Sequence, residues 1–391
     1  MKKLRLVRAV LMFALALGSS NALHAQVTLI NIGHATNRVA GEITQSVVVS
    51  GNYAYVIEGE GGLAVYDVSN PAMPVAMAQT NAISNSYSAG LIVSNNFAYV
   101  TRTISNQGFT TYDVSDPANP KSVFSTNLNL LSAIAVNGTN LYLSSGNSNL
   151  LVFDISTPNA PVEVTNAPIA RSPGSLAIGS NFMVGGCDGY IVTSFRSNGL
   201  YMANLQSTPI AGNVGGVAVQ GQYAFLPFQT SFHSYLISTN GPKLVAQLNY
   251  PSNTVGVVAL SGSYAYFGCG DGVRVVNISN PTNLVPAGQT TTNAYGTFAV
   301  YGIAVSGPYA YVANGQDGLR VFEILPSLSA SQISGNLVFS WPATSSFALQ
   351  QRSLTDTNWT TLTNVPILVN GTNQLTLSPS GTSAFYRLIS M

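Results

Sequence analysis

Apolar residues along the chain fall in short runs separated by Ser, Gly, Asn and Pro, and one run-and-turn frame returns seven times. The frame is clearest in VALSGSYAYFGCGDGVRVVNISNP (258–281). It recurs as VVVSGNYAYV (47–56), LIVSNNFAYV (91–100), IAVNGTNLYL (134–143) and IAVSGPYAYV (303–312), with weaker copies in LAIGSNFMVG (176–185) and VAVQGQYAFL (217–226). Taking its second aromatic as a marker gives Tyr55, Tyr99, Tyr142, Val184, Phe225, Tyr266 and Tyr311, at steps of 44, 43, 42, 41, 41 and 45 residues. A period of this length built only of strands and turns means one supersecondary unit per repeat, whose faces are buried only against its neighbours.

Within a unit the pattern predicts four antiparallel strands. An apolar strand ends in a Ser-Gly-Asn type turn, a second strand of the YAYV kind follows, and a variable loop leads to a third, such as LAVYDV (63–68). A Ser-Asn-Pro turn then introduces a fourth, such as VAMAQT (75–80). Leu63 and Val65 alternate with Ala64 and Tyr66, so both faces are apolar and both must be covered, as happens when sheets stack radially as blades. Repeat four departs from the frame: its third strand is expected at 190–195, a turn at 196–199 replaces the proline turn, and its fourth strand is expected at 200–207. Repeat five keeps only Tyr235, Ile237, Ser238 and Pro242 of the usual signals.

The two ends of the array do not match. The seventh copy stops after GLRVFEIL (318–325) without a fourth strand, while VTLINIGHAT (27–36) is a strand with no repeat of its own. The expectation is an all-β fold: a seven-bladed β-propeller of four-stranded antiparallel blades, spanning 26–326, whose last blade is completed by the N-terminal strand. Closure of this kind removes the exposed edges of an open stack. Beyond 326 the period vanishes. Residues 327–391 hold Trp341, Trp359 and short strands such as NLVFSW (336–341) and AFYRLI (384–389), which predict a small C-terminal β-sandwich.

Composition adds an address. Lys2, Lys3, Arg5 and Arg8 precede the apolar run 9–17 and GSSNALHA, ending at Ala25. This is the pattern of a cleaved signal peptide over 1–25, and its apolar run is too short to span a bilayer. The mature chain would carry about 10 − 13 = −3 charges, and charged residues make up only 7% of the sequence. That composition excludes nucleic acid as a partner, since it offers no basic face. The expected product is a secreted, periplasmic or cell-surface monomer with no integral membrane segment. Cys187 and Cys269 stand at the same frame position two repeats apart, roughly 15 Å in a seven-membered ring and too far for a disulfide, so both read as small buried hydrophobes.

The phrases YDVSNPAMP (66–74), YDVSDPANP (112–120), FDISTPNAP (153–161) and VNISNPTNL (276–284), each behind a YAYV-like strand, resemble the LVIVD-repeat proteins. The resemblance implies an exported bacterial β-propeller and carries no catalytic residues or cofactor. The tail (347–388) resembles a small module found at the ends of secreted proteins of environmental bacteria.

Candidate chemistry is sparse. Asp67, Asp113 and Asp154, with Asn277 and Glu323 at the same frame position, end strands before Ser-x-Pro turns and are expected to cap those turns rather than to bind metal. Asp188, Asp271 and Asp317 precede glycines in tight turns. Arg274 and Arg320 share a third-strand position, with stems expected between blades. The ligand face of such a fold is built from the second-to-third strand loops and the blade-joining loops. There the sequence places Arg102, Phe228, Phe232 and His233, then Tyr87, Arg171, Tyr250 and Tyr295. Arginines and aromatics amid Asn and Ser suit a glycan or a protein surface. The reading is therefore a non-catalytic binding propeller without metal. A polysaccharide hydrolase or lyase is the alternative, with Glu58, Glu60, Asp188 and Asp271 as its candidate acids.

Overall fold

The computed structural model describes residues 27–38, 41–59, 62–80, 88–103, 108–250, 256–270, 272–290, 299–343, 347–353, 357–369, 372–378 and 384–390. Residues 1–25, expected to be a signal peptide, and Tyr87, Tyr295, Glu60 and Asp271 lie outside the described residues.

Seven four-stranded antiparallel sheets follow one another along the chain, each with its strands in sequence order except the last. Blade 1 is typical: Thr44–Ser50, Tyr53–Glu58, Leu63–Asp67 and Val75–Gln79. The second and third strands are buried on both faces, while the fourth, with Val75 57% exposed, forms the outer rim. Between consecutive blades lies one apolar cluster. Val47, Val56 and Tyr66 of blade 1, for example, meet Tyr311, Leu319 and Val321 of blade 7. Six further clusters join blades 1–2, 2–3, 3–4, 4–5, 5–6 and 6–7, so the ring of contacts returns to its start.

The seventh blade is built from both ends of the array. Val27–Ala35 pairs antiparallel with Leu319–Pro326, in the register Val27↔Pro326, Leu29↔Ile324 and Ala35↔Leu319. Val27 and Leu29 face inward, into the cluster shared by blades 6 and 7, whereas Thr28 and Ile30 point out. A bulge between Asn31 and Gly33 brings the strand against blade 1. Any β-carbon at Gly33 would collide with the Pro71 carbonyl oxygen, so only glycine allows the backbones this close. Closure is completed by Thr44, whose N–H and Oγ1 both donate to the Gly315 carbonyl, at 3.0 and 2.7 Å.

Blades 4 and 5 keep the architecture without the proline turn. Tyr190–Ser197 and Leu200–Pro209 are joined by Asn198 and Gly199, both at positive φ, and Ser231–Ser238 and Gly241–Asn249 by an equally tight hairpin. Freed of the longer turn, these outer pairs run 8–10 residues against the 5 of blade 1. Cys187 and Cys269 are both buried thiols outside any disulfide, as their frame position predicts.

After Pro326 the strands form two further sheets. One holds Ser329–Ile333, Asn336–Pro342, Thr372–Leu377 and Ile367–Val369; the other holds Thr360–Thr361, Phe347–Ser353 and Ala384–Ser390. Phe339, Trp341, Phe347, Leu349 and Leu375 fill the space between them. Among the described residues no helix is long and apolar enough to cross a membrane.

Candidate ligand face

The face where second strands end and neighbouring blades are joined begins at one structural position, three residues after each marker of the repeat. Around the ring it is occupied by Glu58, Arg102, Ser145, Cys187, Phe228, Cys269 and Asn314. All seven are buried. Several visibly hold the turn on which they stand. Ser145 Oγ donates to the Asn129 carbonyl at 3.1 Å, Cys187 Sγ to the Tyr190 carbonyl at 3.4 Å, and Asn314 Nδ2 to Asp317 Oδ2 at 2.9 Å. This ring is the floor of the face rather than its surface.

Glu58 is the most deeply placed charge on that floor, at 0% exposed. Its carboxylate accepts the Tyr66 hydroxyl, the Arg38 backbone N–H at 3.0 Å and Gln79 Nε2 at 3.4 Å. Burial, and then the Glu58 charge, push the Tyr66 phenol well above its ordinary value. The carboxylate thus ties the segment after the N-terminal strand onto blade 1.

Four residues expected on the ligand face lie inside the protein instead. Arg102 is 3% exposed, and its Nη2 donates to the Tyr112 hydroxyl at 3.3 Å. Phe228–Ser231 is not an open loop. Phe228 ends one strand and Ser231 starts the next, paired directly across the turn. Side chains therefore alternate: Phe232 turns toward blade 6 and stacks on Phe267 at 4.7 Å, while His233 turns toward blade 4 and stacks on Phe228 at 4.0 Å. His233 Nε2 meets Ser231 Oγ at 2.7 Å, and its Nδ1 meets the Tyr235 hydroxyl at 3.5 Å. Desolvation drives the imidazole down to about 4, so it is a neutral, satisfied core group. Ser231 is a partner that the i, i+2 strand spacing signals and the loop reading missed.

Arg171 and Tyr250 are better placed. Arg171 is exposed and lies over the Tyr190 ring at 5.4 Å; Asp188, two residues before Tyr190, is also exposed. Tyr250 is half-buried, edge-on to Phe267, with the Arg274 guanidinium 5.3 Å from its ring centre. Arg274 also reaches Gln289 Oε1 at 2.6 Å. Tyr301, just before the first strand of blade 7, is 45% exposed; it is not among the sequence candidates, since the frame starts at Ile303 and Tyr295 is the candidate of this blade-joining loop.

The carboxylates act as turn formers. Asp67, Asp113, Asp154 and Asn277 each accept the backbone N–H two residues on, at 2.8, 2.9, 2.8 and 2.9 Å. Hydrogen bonds from Ser69 and Ser115 hold Asp67 and Asp113 below the usual carboxylate range. For Asp317, burial opposes the charge, but Arg320, Asn314 and His34 outweigh it and hold the carboxyl low. Arg320 grips it from two nitrogens, with Nη2 to Oδ1 at 2.8 Å, and His34 Nε2 from the N-terminal strand lies 2.7 Å from the Asp317 carbonyl oxygen. No group of three or more His, Cys, Asp or Glu fit to hold a metal occurs among the described residues.

Comparison with known proteins agrees with this architecture. No curated protein matches the chain. Among solved structures, the computationally designed Ika8 protein is similar at a TM-score of 0.55 and 10% identity, covering 76% of this chain and 99% of that one, which supports the fold alone. The LVIVD repeat pattern matches residues 41–81, 86–127, 132–167, 254–292 and 299–334, passing over blades 4 and 5, where the proline turn is lost. Its last match extends across Ser329–Ile333, a strand that belongs to the terminal module, while Val27–Ala35 takes the fourth place in blade 7. The chain is an LVIVD-repeat protein with a β-propeller fold.

Proposed function

We propose that the protein is an exported, non-catalytic binding propeller that presents its loop face to a glycan or a protein surface. A repeat propeller is suited to binding or scaffolding, and the basic-then-apolar start of the sequence supports export. The observation that carries the non-catalytic reading is the fate of the ionisable groups. Glu58 and Arg102 are buried and hydrogen-bonded, His233 is a neutral core residue, and the strand-end aspartates are engaged in turns. Among the described residues of this face, Arg171 lies over Tyr190 and is exposed, as are Asp188 and Tyr301.

The test is retention of the mature chain on immobilised cell-envelope polysaccharide and protein fractions over a range of salt. Retention should weaken at least tenfold in Arg171→Ala and Tyr301→Ala, which leave the core untouched. Equal retention of both variants would move the binding surface elsewhere, and no retention of the parent chain at any salt would remove the proposal.

A further inference from the structure

The terminal module carries a feature that the propeller does not use. Residues 327–391 contain three charged residues, Arg352, Asp356 and Arg387, of which Asp356 lies outside the described residues. Both arginines converge on the outer face of the sheet formed by Thr360–Thr361, Phe347–Ser353 and Ala384–Ser390. Cross-strand register sets this: Arg352 is opposite Phe385 and Gln350 opposite Arg387, while Leu349 and Leu388 face the core. The arginine side chains then interleave with aromatic rings. Arg352 lies over Phe385 at 5.1 Å and over Trp359 at 5.2 Å, and Arg387 lies over Trp359 at 4.2 Å. Arginines and aromatic rings thus alternate in the order Phe385, Arg352, Trp359, Arg387.

Stacking occupies the faces of a guanidinium and leaves its in-plane N–H fork, the edge that recognises carboxylates and phosphates. Among the described residues, protein acceptors take little of it. Arg387 Nε donates to Gln350 Oε1 at 2.8 Å, and Gln350 is itself held by Thr361 Oγ1 at 3.0 Å. Arg352 Nε is buried without an acceptor, and among the described residues no ion pair reaches either arginine. The two guanidinium carbons are at most 4.2 + 5.2 = 9.4 Å apart. That is close to the Debye length of about 8 Å at physiological salt, so their repulsion is weakened but not abolished. Burial, and then the Arg352 charge, lower the Arg387 affinity for its proton. Two like charges side by side, with no carboxylate between them among the described residues, are organised for an anion from outside.

We propose that this face of the terminal module binds the carboxylates of an acidic polysaccharide, with the Arg352 and Arg387 forks as the recognising groups and Trp359 as the spacer that sets their separation. The surroundings favour a sugar acid over a membrane. Ser353, Thr357, Asn358 and Thr360 are exposed hydroxyl and amide groups, and residues 327–391 contain no lysine to add to a basic patch.

The experiment is affinity electrophoresis of the mature chain through native gels containing polygalacturonate, with dextran as the neutral control and inorganic phosphate as competitor. Polygalacturonate should retard the protein and dextran should not, with retardation falling as salt rises. Arg352→Gln with Arg387→Gln should weaken binding at least tenfold. Arg387→Lys, which keeps the charge but loses the fork, should weaken it several-fold with an unchanged melting curve. That single variant decides the matter even if the double variant unfolds. Equal retardation by dextran, or full retardation of Arg387→Lys, would overturn the proposal. Arginine-dependent binding of phosphate without any of polygalacturonate would overturn the polysaccharide assignment. Variants of Arg171 and Tyr301 should leave this binding unchanged, which separates it from the propeller face.

Discussion

Neighbouring residues on the N-terminal strand offer a sharp test of closure, because one is inside and one is outside. Leu29 is 7% exposed in the cluster that also holds Val27, Phe322, Ile324, Tyr264 and Tyr266, whereas Ile30, the next residue, is 42% exposed. Both are paired in the ladder, so truncating either side chain leaves the backbone bonds in place. Leu29→Ala removes buried methyl groups and leaves a cavity between blades 6 and 7, at a cost of about 3 kcal/mol. At this chain size about 2 °C of melting temperature corresponds to each kcal/mol, so the propeller transition should fall by about 6 °C. Ile30→Ala gives up only partly buried surface and should shift it by about 1 °C or less. Scanning calorimetry of the mature chain measures both. Equal shifts for the two variants, or none for Leu29→Ala, would show that the strand does not hold the ring closed.

Deleting 26–40 removes the same strand together with Asn37 and the Arg38 N–H that Glu58 accepts, and should broaden the calorimetric transition, while removing 327–391 should leave the propeller folded with its transition intact. Glu58→Ala removes the acceptor of the Arg38 N–H and of the Tyr66 hydroxyl and should cost about 3 kcal/mol by urea unfolding, against a clearly smaller loss for Asp67→Ala at an exposed turn. His233 has a folded value of about 4 against an ordinary 6.5, so its contribution is fully present above pH 6.5 and is lost as pH falls from there toward 4. Allowing for solvent screening, this amounts to about 1–2 kcal/mol. His233→Phe should flatten that part of the pH–stability curve, and an unchanged curve would contradict the buried neutral imidazole.

The repeat and its closure were legible because each depends on patterns local to the chain. Two-faced apolar strands require neighbours, and a missing fourth strand at one end matched a spare strand at the other. The Asp-Ser-x-Pro phrase was legible for the same reason, since its hydrogen bond spans two residues. Blades 4 and 5 were harder. Once a two-residue hairpin replaces the proline turn, the phrase that marks the repeat disappears while the strand pairing survives. The face was least legible. Phe228, Phe232 and His233 were assigned to a loop because the phrase FQTSFHSYL lacks glycine and proline to mark its ends, yet its alternation already separates Phe232 from Ser231, His233 and Tyr235.

The seven equivalent positions under the face explain why this propeller reveals its shape more readily than its ligand. In a ring of repeats a single position carries the same backbone demand seven times, and here a carboxylate, a guanidinium, a hydroxyl, two thiols, a phenyl ring and an amide occupy it in turn, all of them buried. A position that accepts such different side chains is not selecting for one chemistry. Each residue is matched to its own turn, as Glu58 is to Tyr66, Arg102 to Tyr112 and Asn314 to Asp317. Specificity in such a scaffold must then come from side chains that stand outside the frame, where no blade-to-blade packing fixes them. Arg171 and Tyr301 on the propeller and the stacked arginines of the terminal module meet that condition. In a chain this poor in charge, the exposed Arg171 and the half-buried Arg352 and Arg387, which form no ion pair among the described residues, are the groups on which the proposed recognition would act.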